Sequence, residues 1–169
     1  VYKRQVDVWK CIRSIMYPYE DMEVLNTRWE QILAEMTETF HDNMDNEQYQ
    51  ETKEEFMTAM LEREYEYRNF ITYLVFRYFA KAVYDYDVVG KAKMFVTNYF
   101  ILRQMDMLVW YKKHKKFCFE DRIDTVHIFS RQVEYSEDNM EALYESFIFD
   151  DVFETDNLCK LLWIDSTAL

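Results

Sequence analysis

Apolar residues recur at every third or fourth position over most of this chain, which is the spacing of amphipathic helices. The chain has one proline, Pro18, and one glycine, Gly90, too few turn residues for an all-β fold. We therefore predict an all-α fold in which residues 1–169 form one domain, a single irregular bundle of about seven to eight helices. The pattern places the helices at about residues 2–16, 20–41, 47–64, 65–84, 88–112, 119–135, 137–149 and 155–163.

Local signals indicate where several of these helices begin and end. The first helix should stop before Pro18, because the residue before a proline disfavours the helical conformation. Asp87 and Ser136 are suited to cap the helices that begin at residues 88 and 137. Helix 65–84 is apolar on nearly all sides, so it is predicted to lie at the centre of the bundle.

Four polar side chains share one strip of the predicted helix 119–135 when successive residues are set about 100° apart. They are His127, Ser130, Arg131 and Glu134. Apolar residues border the strip on both sides, and the solvent side is predicted opposite, around Asp121, Thr125 and Gln132. An imidazole, a guanidinium and a carboxylate are therefore expected to point inward. Such groups are rarely buried unpaired, which makes the strip a candidate site.

Two further features could complete this site. Asp106 falls on the apolar side of helix 88–112, so it needs a buried partner, and Arg103, Arg131 or His127 can supply one. On helix 65–84, a second polar strip follows an i, i+4 spacing through Asn69, Tyr73, Arg77 and Lys81. This strip is either an exposed stripe or a polar wall facing the His127 cluster.

Charge is distributed unevenly along the chain, whose formal net charge is −12. Residues 69–118 carry 9 Lys and Arg against 3 Asp and Glu, whereas segments 1–68 and 119–169 are acidic. The acidic total disfavours a nucleic acid partner. It suits a cationic partner, such as a lysine-bearing protein, or it serves solubility alone.

The three cysteines stand far apart, with neither a CxxC pair nor a Cys/His spacing, so no disulfide framework or metal site is predicted. No secretory signal is present, and no apolar run approaches the roughly 20 residues that span a bilayer, so we expect a soluble cytoplasmic protein rather than a membrane protein. The sequence also lacks Gly-rich phosphate loops, nucleophilic serine motifs and metal-spaced histidine pairs.

Three stretches of the sequence carry a resemblance to a known family. They are YRNFITYLVFRYFAKAVYDYD (67–87), FVTNYFILRQMDMLVW (95–110) and FEDRIDTVHIFSRQVEYSEDNMEALYESF (119–147). Over about residues 65–150 the chain resembles the C-terminal helical half of the bacterial flagellin lysine-N-methylase family. The most specific part is H-x-x-S-R-x-x-E, followed by Ser136 and Asn139. In that family the Glu is usually followed by His, where this chain has Tyr135.

The resemblance implies transfer of a methyl group from S-adenosylmethionine to lysines of flagellin. Residues implied to be catalytic are His127, Arg131, Glu134 and Asp106, and those implied to bind substrate are Asn69, Tyr73 and Arg77. The family's cysteine-rich N-terminal region, expected to hold an iron–sulfur or metal centre, has no counterpart here. We therefore expect this chain to be a fragment of a longer protein, half of an enzyme and inactive alone.

The chemistry required by such an enzyme can be stated in general terms. A lysine with an ordinary pKa of about 10.4 is protonated at neutral pH, so the amine must lose its proton before it can accept a methyl group. Burial among aromatic rings lowers the pKa of the amine, and a nearby Tyr, Glu or His can take its proton. The alternative is a non-catalytic helical protein-interaction module in which the same residues form a buried structural ion-pair network.

Overall fold

The structure is a computed structural model that describes residues 8–166. This part of the chain is helical without strands, which confirms the all-α prediction. The helices are α1 (Val8–Glu20), α2 (Thr27–Met36), α3 (Asn46–Met60), α4 (Glu64–Tyr78), α5 (Ala82–Asp85), α6 (Val88–Lys112), α7 (Phe119–Phe129), α8 (Glu137–Phe149) and α9 (Thr155–Ser166). Short 3₁₀ turns at Leu61–Arg63, Phe79–Lys81 and Asp151–Phe153, and π-helical turns at Thr37–Asp42 and Ser130–Glu134, join or extend them. Within residues 8–166, no helix has the combination of length and apolar character needed to cross a membrane.

Helix α6 lies at the centre of the bundle and packs against α1, α2, α3, α4, α7, α8 and α9. All residues from Ile101 to Leu108 are buried, including the polar Arg103, Gln104 and Asp106. These polar groups interrupt the apolar pattern of α6, although it is more deeply buried than α4. They are tolerated inside because they are hydrogen-bonded, as with Gln104, whose Oε1 accepts from the Tyr49 hydroxyl at 3.2 Å.

The prediction that helix 65–84 is central is wrong. The helix ends at Tyr78 and continues as a 3₁₀ turn and the short α5, after which Tyr86 adopts a left-handed conformation with φ of 58°. Only one face of α4 is buried, including Phe70 and Leu74. The opposite face carries apolar residues that nothing covers among the described residues, and Phe76 is 82% exposed.

Several helix boundaries agree with the predictions. The predicted range 88–112 matches α6, and the Asp87 carboxylate accepts from the Gly90 amide at 2.8 Å as the expected cap. A Cβ at Gly90 would lie 2.0 Å from Oδ2 of Asp87, so a larger residue here would displace the capping carboxylate. Likewise, α8 begins after Ser136, whose hydroxyl accepts from the Asn139 amide at 3.1 Å.

The N-terminal boundaries differ from the predictions. Helix α1 includes Pro18 and ends at Glu20, so the predicted stop before the proline is wrong. Pro18 stands near the helix end, where its missing N–H removes one intrahelical hydrogen bond. Residues 21–26 are not helical, and α2 begins after Asn26, whose side chain accepts from the Arg28 amide at 2.9 Å. The predicted helical residues 2–7 lie outside the described part of the chain.

Candidate functional site

The polar strip predicted on α7 faces the opposite way in the structure. His127 and Arg131 are exposed, so the expectation that they point inward is wrong. Asp121, Thr125 and Gln132, predicted to face solvent, are buried. Glu134 is the member of the strip that is buried as expected, with its side chain 2% exposed.

Two physical causes explain the reversed face. The buried polar groups are satisfied: Thr125 donates to Asp106 at 2.6 Å, and Gln132 donates to the Glu23 carbonyl at 2.6 Å. In addition, the turn Ser130–Glu134 is π-helical, and the Tyr135 amide bonds to the Ser130 carbonyl at 3.2 Å. The i→i+5 spacing shifts the face by one residue, so a regular 100° step fails across it.

Asp106 faces the core as predicted and is fully buried, but its partners differ from those proposed. Arg122 pairs with its carboxylate, and the hydroxyls of Tyr67 and Thr125 donate to it at 2.8 and 2.6 Å. Neither His127 nor Arg131 contributes. Burial raises the pKa of Asp106 to about 6, against the lowering effect of the Arg122 guanidinium and the two hydroxyl donors.

Arg122 connects Asp106 to a wider network of charges. Its side chain is 7% exposed and donates from Nε to Glu66 at 3.1 Å. Glu66 also accepts from Arg63 at 2.9 and 3.0 Å, and the Arg122 guanidinium lies 4.0 Å from the centre of the Tyr67 ring. This network joins α4, α6 and α7 and holds the two outer helices at a fixed separation.

A groove of about 400 Å³ runs between α4 and α7, with α6 beneath it. Its middle is apolar and its two ends carry carboxylates, Glu66 at one and Glu134 at the other. The lining residues are Tyr65, Glu66, Asn69, Phe70, Tyr73, Leu102, Phe119, Arg122, Val126, Ser130 and Glu134. We call this cavity the α4–α7 groove and its Glu134 end the acidic end. Asp106, His127 and Arg131 do not line it.

The acidic end is built by α4 and the π-helical turn together. The hydroxyls of Tyr73 and Tyr78 donate to Oε2 of Glu134 at 2.8 and 2.9 Å. Nε of Arg77 lies 3.6 Å from the same oxygen and donates to the Tyr78 hydroxyl at 2.9 Å. All these contacts use Oε2, which leaves Oε1 without a hydrogen bond from residues 8–166 and able to accept one from a ligand.

The two tyrosines of the acidic end act as donors. Burial raises the pKa of the Tyr78 hydroxyl, and the neighbouring Glu134 carboxylate raises it further. The pKa of Tyr73 is raised by the same two causes. Both hydroxyls are therefore protonated at neutral pH, so Glu134 is the group here that can accept a proton or bind a cation.

The polar strip on α4 is exposed, as the first of its two interpretations predicted, and part of it also borders the groove. Tyr73 and Arg77 contact Glu134, and Asn69 lines the groove, although this part faces Glu134 rather than His127. Sequence reasoning missed Tyr78. Its position on the core stripe of α4 was a usable signal, because a buried tyrosine hydroxyl usually finds a hydrogen-bond partner.

A larger cavity, of about 690 Å³, lies on the other side of α4, among α3, α6 and α9. Most of its lining residues are apolar or aromatic, and four are charged. The lining residues are Phe56, Met57, Met60, Leu61, Glu62, Glu64, Tyr65, Tyr67, Arg68, Ile71, Thr72, Val96, Tyr99, Arg103 and Leu162. On α4, these are mainly residues at angles about half a turn from those that line the α4–α7 groove.

The described residues do not provide a metal centre. Among residues 8–166, no group of three or more His, Cys, Asp or Glu side chains is arranged to hold an ion. Cys11, Cys118 and Cys159 form no disulfide with one another. The iron–sulfur or metal centre expected from the family resemblance therefore does not fit these residues, and no chemistry is assigned to one here.

A comparison with models of protein families matched residues 2–161 to the family described as FliB lysine N-methylase C-terminal domain. This match extends the resemblance seen over residues 65–150 to almost the whole chain. Curated proteins and solved structures gave no match.

Proposed function

This chain belongs to the FliB lysine N-methylase C-terminal domain family, and we propose that it binds the lysine to be methylated in the α4–α7 groove. In this proposal the domain is part of a protein-lysine N-methyltransferase, flagellin is the protein substrate and S-adenosylmethionine is the methyl donor. The reaction takes place in the cytoplasm, which agrees with the absence of a disulfide among the three cysteines.

The acidic end of the groove is the observation that carries the proposal. A lysine side chain has an apolar stem and a cationic tip, and it buries the stem while seeking a partner for the charge. The groove offers Phe70, Leu102 and Val126 to the stem. It offers Glu134 to the amine, with Tyr73 and Tyr78 holding the carboxylate in place.

The same groups can prepare the amine for methylation. An enclosing apolar groove lowers the pKa of an ammonium by removing water, which favours the neutral amine. Glu134 accepts a hydrogen bond from the amine through Oε1 and takes the proton that the ammonium loses, before passing it to solvent. The freed lone pair at first points towards Glu134, and rotation about the Cε–Nζ bond turns it towards the methyl donor while a remaining N–H donates to Oε1. The rings of Tyr73 and Phe70 can stabilise the methylated cation by cation–π contact.

S-adenosylmethionine supplies a methyl group bonded to a positively charged sulfur. The amine nitrogen forms a bond to this methyl carbon while the carbon–sulfur bond breaks, and the electron pair of that bond stays on the sulfur. Glu134 and the two tyrosines fix the direction from which the nitrogen can be approached.

The larger cavity has the size of a small-molecule site, but its place does not fit the donor in this reaction. It lies across α4 from the acidic end, and a helix with its side chains is about 10 Å thick. A donor bound there could not reach an amine at Glu134. No step is therefore assigned to the larger cavity.

A second candidate function is the non-catalytic interaction module. The observation in its favour is the buried network of Asp106, Arg122 and Glu66, which is structural and lies beside the groove. This network differs from the one expected, because His127 and Arg131 take no part in it. In this alternative, Glu134 is one more member of the structural network and the groove binds no lysine.

Titration calorimetry with a flagellin peptide containing one lysine separates the two candidates. The chain should bind the peptide, and Glu134→Gln should weaken binding at least about tenfold, which corresponds to about 1.4 kcal/mol. Glu137→Gln, an exposed change three residues later, is the matched control and should bind like the parent. A peptide with norleucine in place of lysine should not bind. Equal affinity of the Glu134→Gln variant and the parent, or no binding by the parent, would overturn the proposal.

A further inference from the structure

The outer face of α4 and the link from α4 to α6 expose an unusual number of large apolar side chains. These residues are Val75, Phe76, Phe79, Val83, Tyr84, Tyr86, Val88 and Val89. On α4 and its continuation, Phe76, Phe79 and Val83 follow the i, i+3, i+7 spacing of a single stripe. The remaining residues follow directly along the chain, so we treat the set as one surface, the α4–α6 patch.

The patch is large enough for a stable interface. Phe76, Tyr84 and Tyr86 are each more than 80% exposed, and an aromatic side chain can bury about 150–250 Å². These three rings alone account for about half of the roughly 800 Å² that each partner contributes to a standard interface. Soluble monomers rarely leave a patch of this size uncovered.

Charges around the patch indicate what kind of partner fits it. Its acids are already used within the domain, since Asp85 pairs with Lys91 at 2.8 Å and Asp87 caps α6. Its cations are less fully used: Lys81 forms no ion pair with residues 8–166, and the Arg77 side chain, which pairs with Glu134 at 3.6 Å, stays 46% exposed. In a contact between the patches of two copies, these cations would face the same cations, because the acids of the patch are already paired. The fitting partner has an apolar centre and an acidic edge.

The position of the patch points to the rest of the same enzyme. The matching family is described as a C-terminal domain, so in such a methylase another part precedes this one. Phe76 is three residues from Tyr73 on the same helix, so the patch borders the acidic end of the groove. Apart from its polar strip, the second half of α4 carries apolar residues on several sides, although within the described residues only one face is covered.

We propose that the α4–α6 patch docks the part of the methylase that precedes this domain. The docked part covers Phe76 and Val83, pairs its acidic edge with Arg77 and Lys81, and becomes the wall beside the acidic end of the groove. It also presents the methyl donor there. Neither the α4–α7 groove nor the larger cavity of this domain provides a donor site for an amine at Glu134. This last assignment rests on the proposed function, whereas the docking itself does not.

Photo-crosslinking in the full-length methylase tests the docking. Benzoylphenylalanine at position 76 should crosslink to the preceding part of the same polypeptide. The same group at position 51, an exposed glutamate on α3, is the control and should not. Crosslinks from position 76 to a second copy, or to no protein at all, would overturn the proposal.

A charge introduced into the patch gives a second, functional test. Phe76→Asp should reduce methylation by the full-length enzyme at least tenfold, because docking is lost, while the affinity of the isolated domain for the lysine peptide stays within twofold. Circular dichroism should show an intact fold, since the Phe76 side chain is exposed. Unchanged methylation would overturn the docking. Failure of the lysine peptide to bind, with the position-76 crosslink present, would instead refute only the assignment of the groove.

Discussion

Arg122→Met removes the one guanidinium that lies between two buried carboxylates, Asp106 and Glu66. Removing one partner of a buried ion pair costs about 3–5 kcal/mol, because the other charge is left unpaired. Here Glu66 keeps Arg63 and Asp106 keeps two hydroxyl donors, so we expect the lower end, about 3 kcal/mol. For a domain of this size, that lowers the Tm by about 6–12 °C.

The matched control for this prediction is Arg131→Met on the same helical segment. Arg131 is exposed and forms no ion pair with residues 8–166, so this variant should differ from the parent by less than about 0.5 kcal/mol. Urea unfolding of the three proteins at pH 7.5, followed by circular dichroism, measures the difference. If Arg122→Met is within about 1 kcal/mol of the parent, or if Arg131→Met is equally destabilised, the network described here is wrong.

The destabilisation by Arg122→Met should also depend on pH. The pKa of Asp106 in the folded protein, about 6, lies above its ordinary value of 3.8. Protonation of Asp106 therefore stabilises the folded protein. This stabilisation is fully present below pH 3.8 and is lost as the pH rises through 6. Without Arg122 the pKa rises further, so protonation relieves the unpaired charge. The difference between variant and parent should be smaller at pH 5 than at pH 7.5.

Three further changes test other parts of the structure. Tyr78→Phe removes a donor to Glu134 and should cost about 1.5–3 kcal/mol in urea unfolding. Burial lowers the pKa of His41 to about 4, so the stability of the fold should fall as the pH drops from 6.5 towards 4. Thermal unfolding at several pH values should show that His41→Phe abolishes about 1–2 kcal/mol of this loss, a figure that allows for the partial exposure of His41. Gly90→Ala should displace the Asp87 cap and lower stability by about 1 kcal/mol, measured against Ala92→Gly as a helix-propensity control.

The sequence predicted the starts of two helices, α6 and α8, at which a local side chain acts as the cap. Asp87 and Ser136 cap helices at the expected positions because capping involves residues only three apart. The centre of the bundle was not predictable from apolar content, because α6 buries polar groups whose partners come from distant helices. Asp106 illustrates this: its acceptor atoms are satisfied from α4 and α7.

The candidate site was predicted only in part. Glu134, Tyr73 and Arg77 were identified from their spacing, and the structure brings them together across two helices. The assignment of His127 failed because the buried face of α7 carries Arg122 and Thr125, whose charged and polar partners lie on other helices. Arg131 lies in the π-helical turn after α7, and nothing in the local sequence indicates an i→i+5 hydrogen bond. The catalytic and substrate-binding roles of all these residues stay predictions.

The central claim is that a lysine side chain occupies the α4–α7 groove with its amine at Glu134. Isotope-filtered NMR of the chain bound to a lysine-labelled flagellin peptide measures this contact directly. We expect cross-peaks between the lysine ε-methylene protons and the rings of Phe70 and Tyr73, which line the groove. Cross-peaks to Ile71 and Val96, which line the larger cavity, would contradict the claim, as would the absence of any contact with Phe70 and Tyr73.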